Sequence, residues 1–174
     1  MKKHIFYCLL TAVLYTNNLF SQNTNLDHGG SVTNGFRLSI SLKGGTNTVP
    51  LGQPVILISR LQNISSNTMV QFLEFVEPIK DGSYGVSITS PTGKDLSPKI
   101  YNFPEGSFGL CDVGPGQIHE AQLQLSLVCK FETIGRYKIV VTKKIRALRC
   151  QVGSNQLALP FEVVSNPLYV NVVP

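Results

Sequence analysis

Residues 121–141 read AQLQLSLVCKFETIGRYKIVV. Leu123, Leu125, Leu127, Cys129 and Phe131 occupy alternate positions, with Gln122, Gln124, Ser126, Lys130 and Glu132 between them. A period of two is the pattern of a strand with one dry face and one wet face. A turn ending at Gly135 precedes a second strand, Tyr137-Lys138-Ile139-Val140-Val141. The stretch therefore predicts an antiparallel pair inside a β protein. Nothing in it has the composition of an active site.

The same alternation recurs outward from this point. Phe36, Leu38, Ile40 and Leu42 alternate with Arg37, Ser39, Ser41 and Lys43. After the turn Pro50-Leu51-Gly52-Gln53-Pro54, Val55, Leu57, Ser59 and Leu61 continue the pattern, and Asn63 to Asn67 close it with turn chemistry. Asn63-Ile64-Ser65 is also a glycosylation sequon, relevant only in a host that modifies it. Met69 to Val76 is apolar on both faces, as in a central strand or one carrying a bulge. Tyr84, Val86 and Ile88 alternate again, residues 95–116 read as loop with one short edge strand, and Phe161–Val164 and Leu168–Val173 end the chain. Seven to eight short strands without helical patterning predict an all-β, immunoglobulin-like antiparallel β-sandwich.

The first 21 residues read as a cleaved signal peptide: Lys2 and Lys3, then an apolar run from Ile5 to Tyr15, then Ser21 before the cut. That run is shorter than the roughly 20 residues needed to span a bilayer. An uncleaved N-terminal membrane anchor is the alternative, and no later segment has a transmembrane pattern. Residues 22–34 are expected to be a flexible lead, and residues 35–174 a single domain. The expected location is secreted or periplasmic. Losing Lys2 and Lys3, with no acidic residue before position 22, lowers the net charge from +5 to +3. That mild balance does not call for nucleic acid.

Several markers together resemble a known family. Pro50-Leu51-Gly52-Gln53-Pro54-Val55 between strands, Tyr84-Gly85-Val86-Ser87-Ile88 followed by Pro91-Thr92-Gly93-Lys94, Gly114-Pro115-Gly116, Gly135-Arg136-Tyr137-Lys138-Ile139 and Val164-Ser165-Asn166-Pro167 are similar to secreted bacterial Ig-like modules. The nearest named relatives are BsuPI-type proteinase-inhibitor domains and macroglobulin-type sandwich domains. The resemblance implies a sandwich over about residues 35–173 and, for the first of these, inhibition of proteases. No inhibitory motif can be matched to residues here. The chain lacks Trp altogether, and Ile139 stands where an antibody-type domain would place its second core cysteine. Tyr137, just inside its strand, fits a tyrosine corner, which is a structural role.

Three cysteines follow the signal segment. If 117–127 and the strand from Tyr137 are a hairpin, Cys111 and Cys150 lie at one end of the sandwich and Cys129 at the other. A Cys111–Cys150 disulfide is then expected, with Cys129 a buried free thiol on the dry face. No cysteine stands beside a base as catalysis requires, and no metal-ligand spacing such as C-x-x-C is present. The expectation is a protein that is not an enzyme and needs no metal or cofactor.

Two surface features remain. Lys138, Lys143, Lys144, Arg146 and Arg149 make a possible basic patch, either for an anionic polymer or acidic partner or as a solvated strand protected from edge pairing. Tyr101, Phe103 and Phe108 lie in a Gly- and Pro-rich loop that is a possible binding loop. The function expected is an exported, non-catalytic binding module for an unknown protein or an anionic envelope polymer. The alternatives are a proteinase inhibitor and a structural or adhesive envelope component.

Overall fold

Alternation of apolar and polar side chains sets the strands and decides which face of each is dry. A computed structural model describes residues 29–75, 78–80, 82–98, 108–152 and 160–174. The expected signal peptide lies outside the described residues. Eleven strands are formed among those described: β1 (Phe36–Leu42), β2 (Thr48–Pro50), β3 (Ile56–Asn63), β4 (Thr68–Phe75), β5 (Tyr84–Thr89), β6 (Phe108–Val113), β7 (Ile118–Gln124), β8 (Gly135–Ile145), β9 (Ala147–Val152), β10 (Phe161–Val164) and β11 (Leu168–Val173). The count exceeds seven to eight because several long strands are interrupted and change partners.

One layer is β1-β3-β7, all antiparallel neighbours. The facing layer is built on β8, which pairs antiparallel with β5 on one side and with β10 and β11 on the other. β10 and β11 are one strand broken by a bulge. Phe161 pairs with Ile145 and Leu168 with Ile139, so the broken strand uses one residue more than β8 does. Ser165 fills the gap: its N–H donates to the Val141 carbonyl (2.8 Å), and its Oγ accepts from the Val141 N–H (2.9 Å). β2 closes the far edge by pairing in parallel with β11. Inward residues of both layers, among them Leu38, Leu57, Leu123, Ile88, Ile139 and Val170, form one buried core. This is an all-β, immunoglobulin-like sandwich.

A third sheet, β6-β4-β9, is made from continuations of strands already described. β3 runs into β4, β6 runs into β7, and β8 runs into β9 across Arg146. Because β9 pairs with β4, the second layer is joined to the extension of the first at this end. β4 is the central strand, and its register with β9 shifts between Gln71 and Phe72, where β9 carries one extra residue. Among the described residues, β6 is an edge strand.

The corner between β3 and β4 depends on a buried amide. Asn63 is fully buried, and its Nδ2 donates to the carbonyls of Thr68 (2.7 Å) and Val113 (3.0 Å). Its Oδ1 accepts from the N–H and the hydroxyl of Ser65 (3.0 and 2.6 Å). With every position of the amide used inside the protein, the sequon at Asn63 is closed to modification in the folded state.

Two expectations are corrected here. β7 and β8 are not a hairpin, since they lie in opposite layers. Leu123 and Leu125 are buried on the expected parity, but Leu125–Leu127 form a 3-10 turn. Such a turn advances about three residues per revolution instead of two, so the alternation fails and Leu127 emerges 56% exposed. The chain then crosses to the other layer, entering β8 at Gly135. There φ is +133°, and a Cβ would lie 2.8 Å from Pro91 Cβ, so only glycine fits. The second correction concerns the lead. Gly30 is buried and its N–H donates to the Leu38 carbonyl (2.8 Å), so the lead is fixed to the sandwich at that point while Ser31, Val32 and Asn34 stay exposed.

Replacing Asn63 with Ala removes the donor of two interior carbonyls. A loss of about 2–3 kcal/mol of folding stability is expected, measured from the urea midpoint at constant slope. A loss below about 0.5 kcal/mol would show that the corner does not need the amide.

Candidate functional site

The inward parity of β8 begins at Tyr137 and continues through Ile139 and Val141 to Lys143 and Ile145. Lys143 is therefore a core residue, 0% exposed. Tyr84 of β5 stands directly opposite it in the ladder. Glu74 extends the inward parity of Val70 and Phe72 on β4, and His119 opens the inward series on β7 that continues to Leu123. The three sheets thus each send one ionisable side chain to the same place.

Their geometry is tight. Lys143 Nζ donates to Glu74 Oε2 at 2.5 Å, and His119 Nε2 lies 3.7 Å from the same oxygen, too long for a hydrogen bond but close enough for attraction when charged. The ammonium also sits over the Tyr84 ring (4.1 Å to the centroid) and the Phe72 ring (4.7 Å). The two aromatic faces and the Glu74 carboxylate stand where the ammonium would otherwise meet water. His119 meets Phe72 edge-on, with centroids 5.4 Å apart and planes at 88°. Burial pushes the Glu74 carboxyl up, but His119 and Lys143 beside it outweigh burial and hold it below its ordinary value.

Cys111 belongs to the same neighbourhood. It is paired with Phe72 across β4 and β6, half-buried, and free. Burial first, and then the Glu74 charge, push its thiol up, with Lys143 opposing. A thiol so placed is a poor nucleophile at neutral pH. Among the described residues, no group of three His, Cys, Asp or Glu side chains is arranged to hold a metal ion.

The expected disulfide is corrected by the strand order. Cys111 is on β6 and Cys150 on β9, with β4 between them. Two strand spacings amount to about 9.5 Å, beyond the ~7 Å between Cα atoms that a bridge allows. The expectation arose from treating β7 and β8 as a hairpin, with Cys111 and Cys150 together at one end of it. Leu148, Cys150 and Val152 alternate with Arg149 and Gln151, and that signal marks β9. Cys129 is free but only half-buried, because it follows the 3-10 turn that ends the strand. Burial raises its thiol too.

The basic stretch is also divided by the fold. Lys138 and Arg146 are exposed and Lys144 is half-buried, whereas Lys143 points into the core. Arg149 pairs with Gln71 through the backbone, and its side chain lies outside the described residues. Tyr137 is buried, and its phenol donates to the Thr133 carbonyl (2.9 Å) while accepting from the Thr133 N–H (3.1 Å). That is the bond of a tyrosine corner. Tyr101 and Phe103 lie outside the described residues. Phe108 opens β6, paired with Phe75, and its side chain lies outside them as well. Glu74 and His119 were not anticipated as partners of Lys143. Following the parity from Tyr137 six residues further would have turned Lys143 inward and demanded a counter-charge.

The outer face of the third sheet differs from this polar interior. Leu110, 62% exposed, stands across from Leu73, and beside them Gln71 Nε2 donates to Asp112 Oδ1 (2.8 Å).

No family model matches the chain, and no curated protein matches it. Among solved structures it is similar to part of β-glucosidase from Listeria innocua, at 12% identity and a TM-score of 0.38, over 79% of this chain. The chain spans 16% of that enzyme. It is also similar to an ASH/PapD-like domain of human CEP192, at 10% identity and a TM-score of 0.34, over 78% of this chain and 84% of that one. None of these likenesses bears on activity.

Substituting Glu74 with Gln removes the carboxylate charge beside the buried Lys143 ammonium, and a loss of about 3–5 kcal/mol is expected. Replacing the pair together, Glu74→Leu with Lys143→Met, is expected to change stability by less than half as much. Chemical denaturation of the three proteins checks both. The acid response follows from the depressed Glu74 pKa. Its contribution is fully present above the ordinary carboxylate range and is lost as pH falls through that range towards the folded value. Stability profiles from pH 7 down should therefore fall less steeply in Glu74→Gln than in the native protein.

Proposed function

We propose that this chain is an exported, non-catalytic binding module whose partner meets the outer face of the β6-β4-β9 sheet. Leu110 carries the reading. It is 62% exposed on an edge strand, with Leu73 directly across from it. Proteins usually protect such an edge with Lys or Pro, and FGLCDV contains neither. Tyr101 and Phe103, of the loop expected to recognise a partner, come shortly before β6 in the sequence. Export is supported by Lys2 and Lys3 ahead of the apolar run Ile5 to Tyr15. The non-catalytic part is supported by a raised Cys111 thiol and a lysine shut inside the core.

A partner retained from the native envelope by the intact protein should be lost with Leu110→Asp. Such a surface change is expected to alter stability by no more than about 0.5 kcal/mol. Retention of the same partner by the variant, at unchanged stability, would remove the basis of the reading.

A further inference from the structure

The outer face of the second layer carries a separate charge pattern. Arg136 and Lys138 are successive outward positions of β8, both exposed. Two residues along a strand separate them by about 6.6 Å. In the ladder Arg136 stands beside Asn171 of β11, and Lys138 stands between Tyr169 of β11 and Thr89 of β5. The strands around them, β2, β5 and β11, contain no acidic residue. Neither cation makes an ion pair among the described residues. Asp95 reaches this face only at the far side of Thr89, and its carboxylate accepts from the N–H and the hydroxyl of Ser97. Further along β8, Lys144 faces Glu162 across the ladder, so among the described residues of this strand the unopposed positive charge is that of Arg136 and Lys138.

The chemistry of the surrounding groups narrows the partner. The Arg136 guanidinium lies over the Tyr169 ring, 4.1 Å from its centroid. Stacking fixes the orientation of the guanidinium while leaving its N–H donors at the edge free for an anion. It also covers the ring, so the platform on which a nucleic-acid base would stack is taken. Exposed Asn171 and Ser87, with half-buried Thr89, offer neutral donors and acceptors around the two cations. Fixed positive charge among amide and hydroxyl groups complements a ligand with repeated acid groups and many hydroxyls. We infer that this sheet face binds an anionic polysaccharide, with Arg136 and Lys138 holding its acid groups and Asn171, Ser87 and Thr89 its hydroxyls. The inference rests on the binding-module reading and places a second surface on the opposite layer from Leu73 and Leu110.

Polygalacturonate serves as the probe, with dextran as the uncharged polymer, in affinity electrophoresis of the full domain. The native protein should be retarded by polygalacturonate and not by dextran, and the retardation should weaken with salt as screening grows. Arg136→Gln with Lys138→Gln should weaken it at least tenfold. Lys43→Gln, on the outer face of the other layer, should change it by no more than twofold. Tyr169→Phe keeps the ring under the guanidinium and should bind like the native protein. Equal retardation by dextran, or an unaltered double variant, would overturn the assignment. Binding to anionic lipid vesicles without binding to polygalacturonate would overturn it as well. If polygalacturonate is ignored while capture through Leu110 persists, the polysaccharide inference falls and the module reading stands.

Discussion

An ammonium sealed from water must find its counter-charge inside the protein, and for Lys143 that counter-charge is Glu74 of another sheet. The pair exists only because β8 continues inward-facing past Val141 and then crosses to become β9 beside β4. A slip of β4 by one residue would turn Glu74 outward and bring a neighbour of opposite parity into the core. Well-packed apolar residues can often match a buried ion pair in energy. What the pair adds is discrimination, since only one register of the third sheet neutralises Lys143. His119, brought in by the first layer, completes the meeting of all three sheets at a single carboxylate.

The two ends and two faces of the domain therefore do different work. Near the 3-10 turn the layers are separate, and the chain passes between them through Gly135 and the corner bond of Tyr137. At the other end, strand continuations join the layers, the corner is held by Asn63, and an apolar edge faces solvent at Leu110. Charge on the outer surface collects on β8, where Arg136 rests on Tyr169.

Much of this was legible in the sequence wherever a residue's parity alone decided its environment. The dry faces of β1, β3 and β5, the turn chemistry at Asn63 and the placement of Tyr137 all follow from local pattern. The rest depended on which strands pair, and that is set by contacts distant in sequence. Leu127, Cys129 and Phe131 kept the period of two on paper, but a 3-10 turn at Leu125 ended the strand and sent the chain to the other layer. From that one step came the mistaken hairpin and, through it, the mistaken Cys111–Cys150 bridge. Lys143 was misplaced for a different reason. Its charge suggested the surface, and the strand carrying it was taken to end at Val141, four residues too early. Its partner lies 69 positions away, and no local pattern could announce it.

The parallel pairing of β2 with β11 sets an order in time. Thr48 stands in register with Asn171 and Val49 with Val172, and the Asn171 N–H donates to the Asn47 carbonyl (2.8 Å), so an early strand waits for a much later one. Contacts so distant in sequence must overcome the entropy of closing a long loop before they give anything back, which makes them late and slow to form. During synthesis this edge of the sheet stays open until β11 has emerged, so the sandwich closes only after that strand is made.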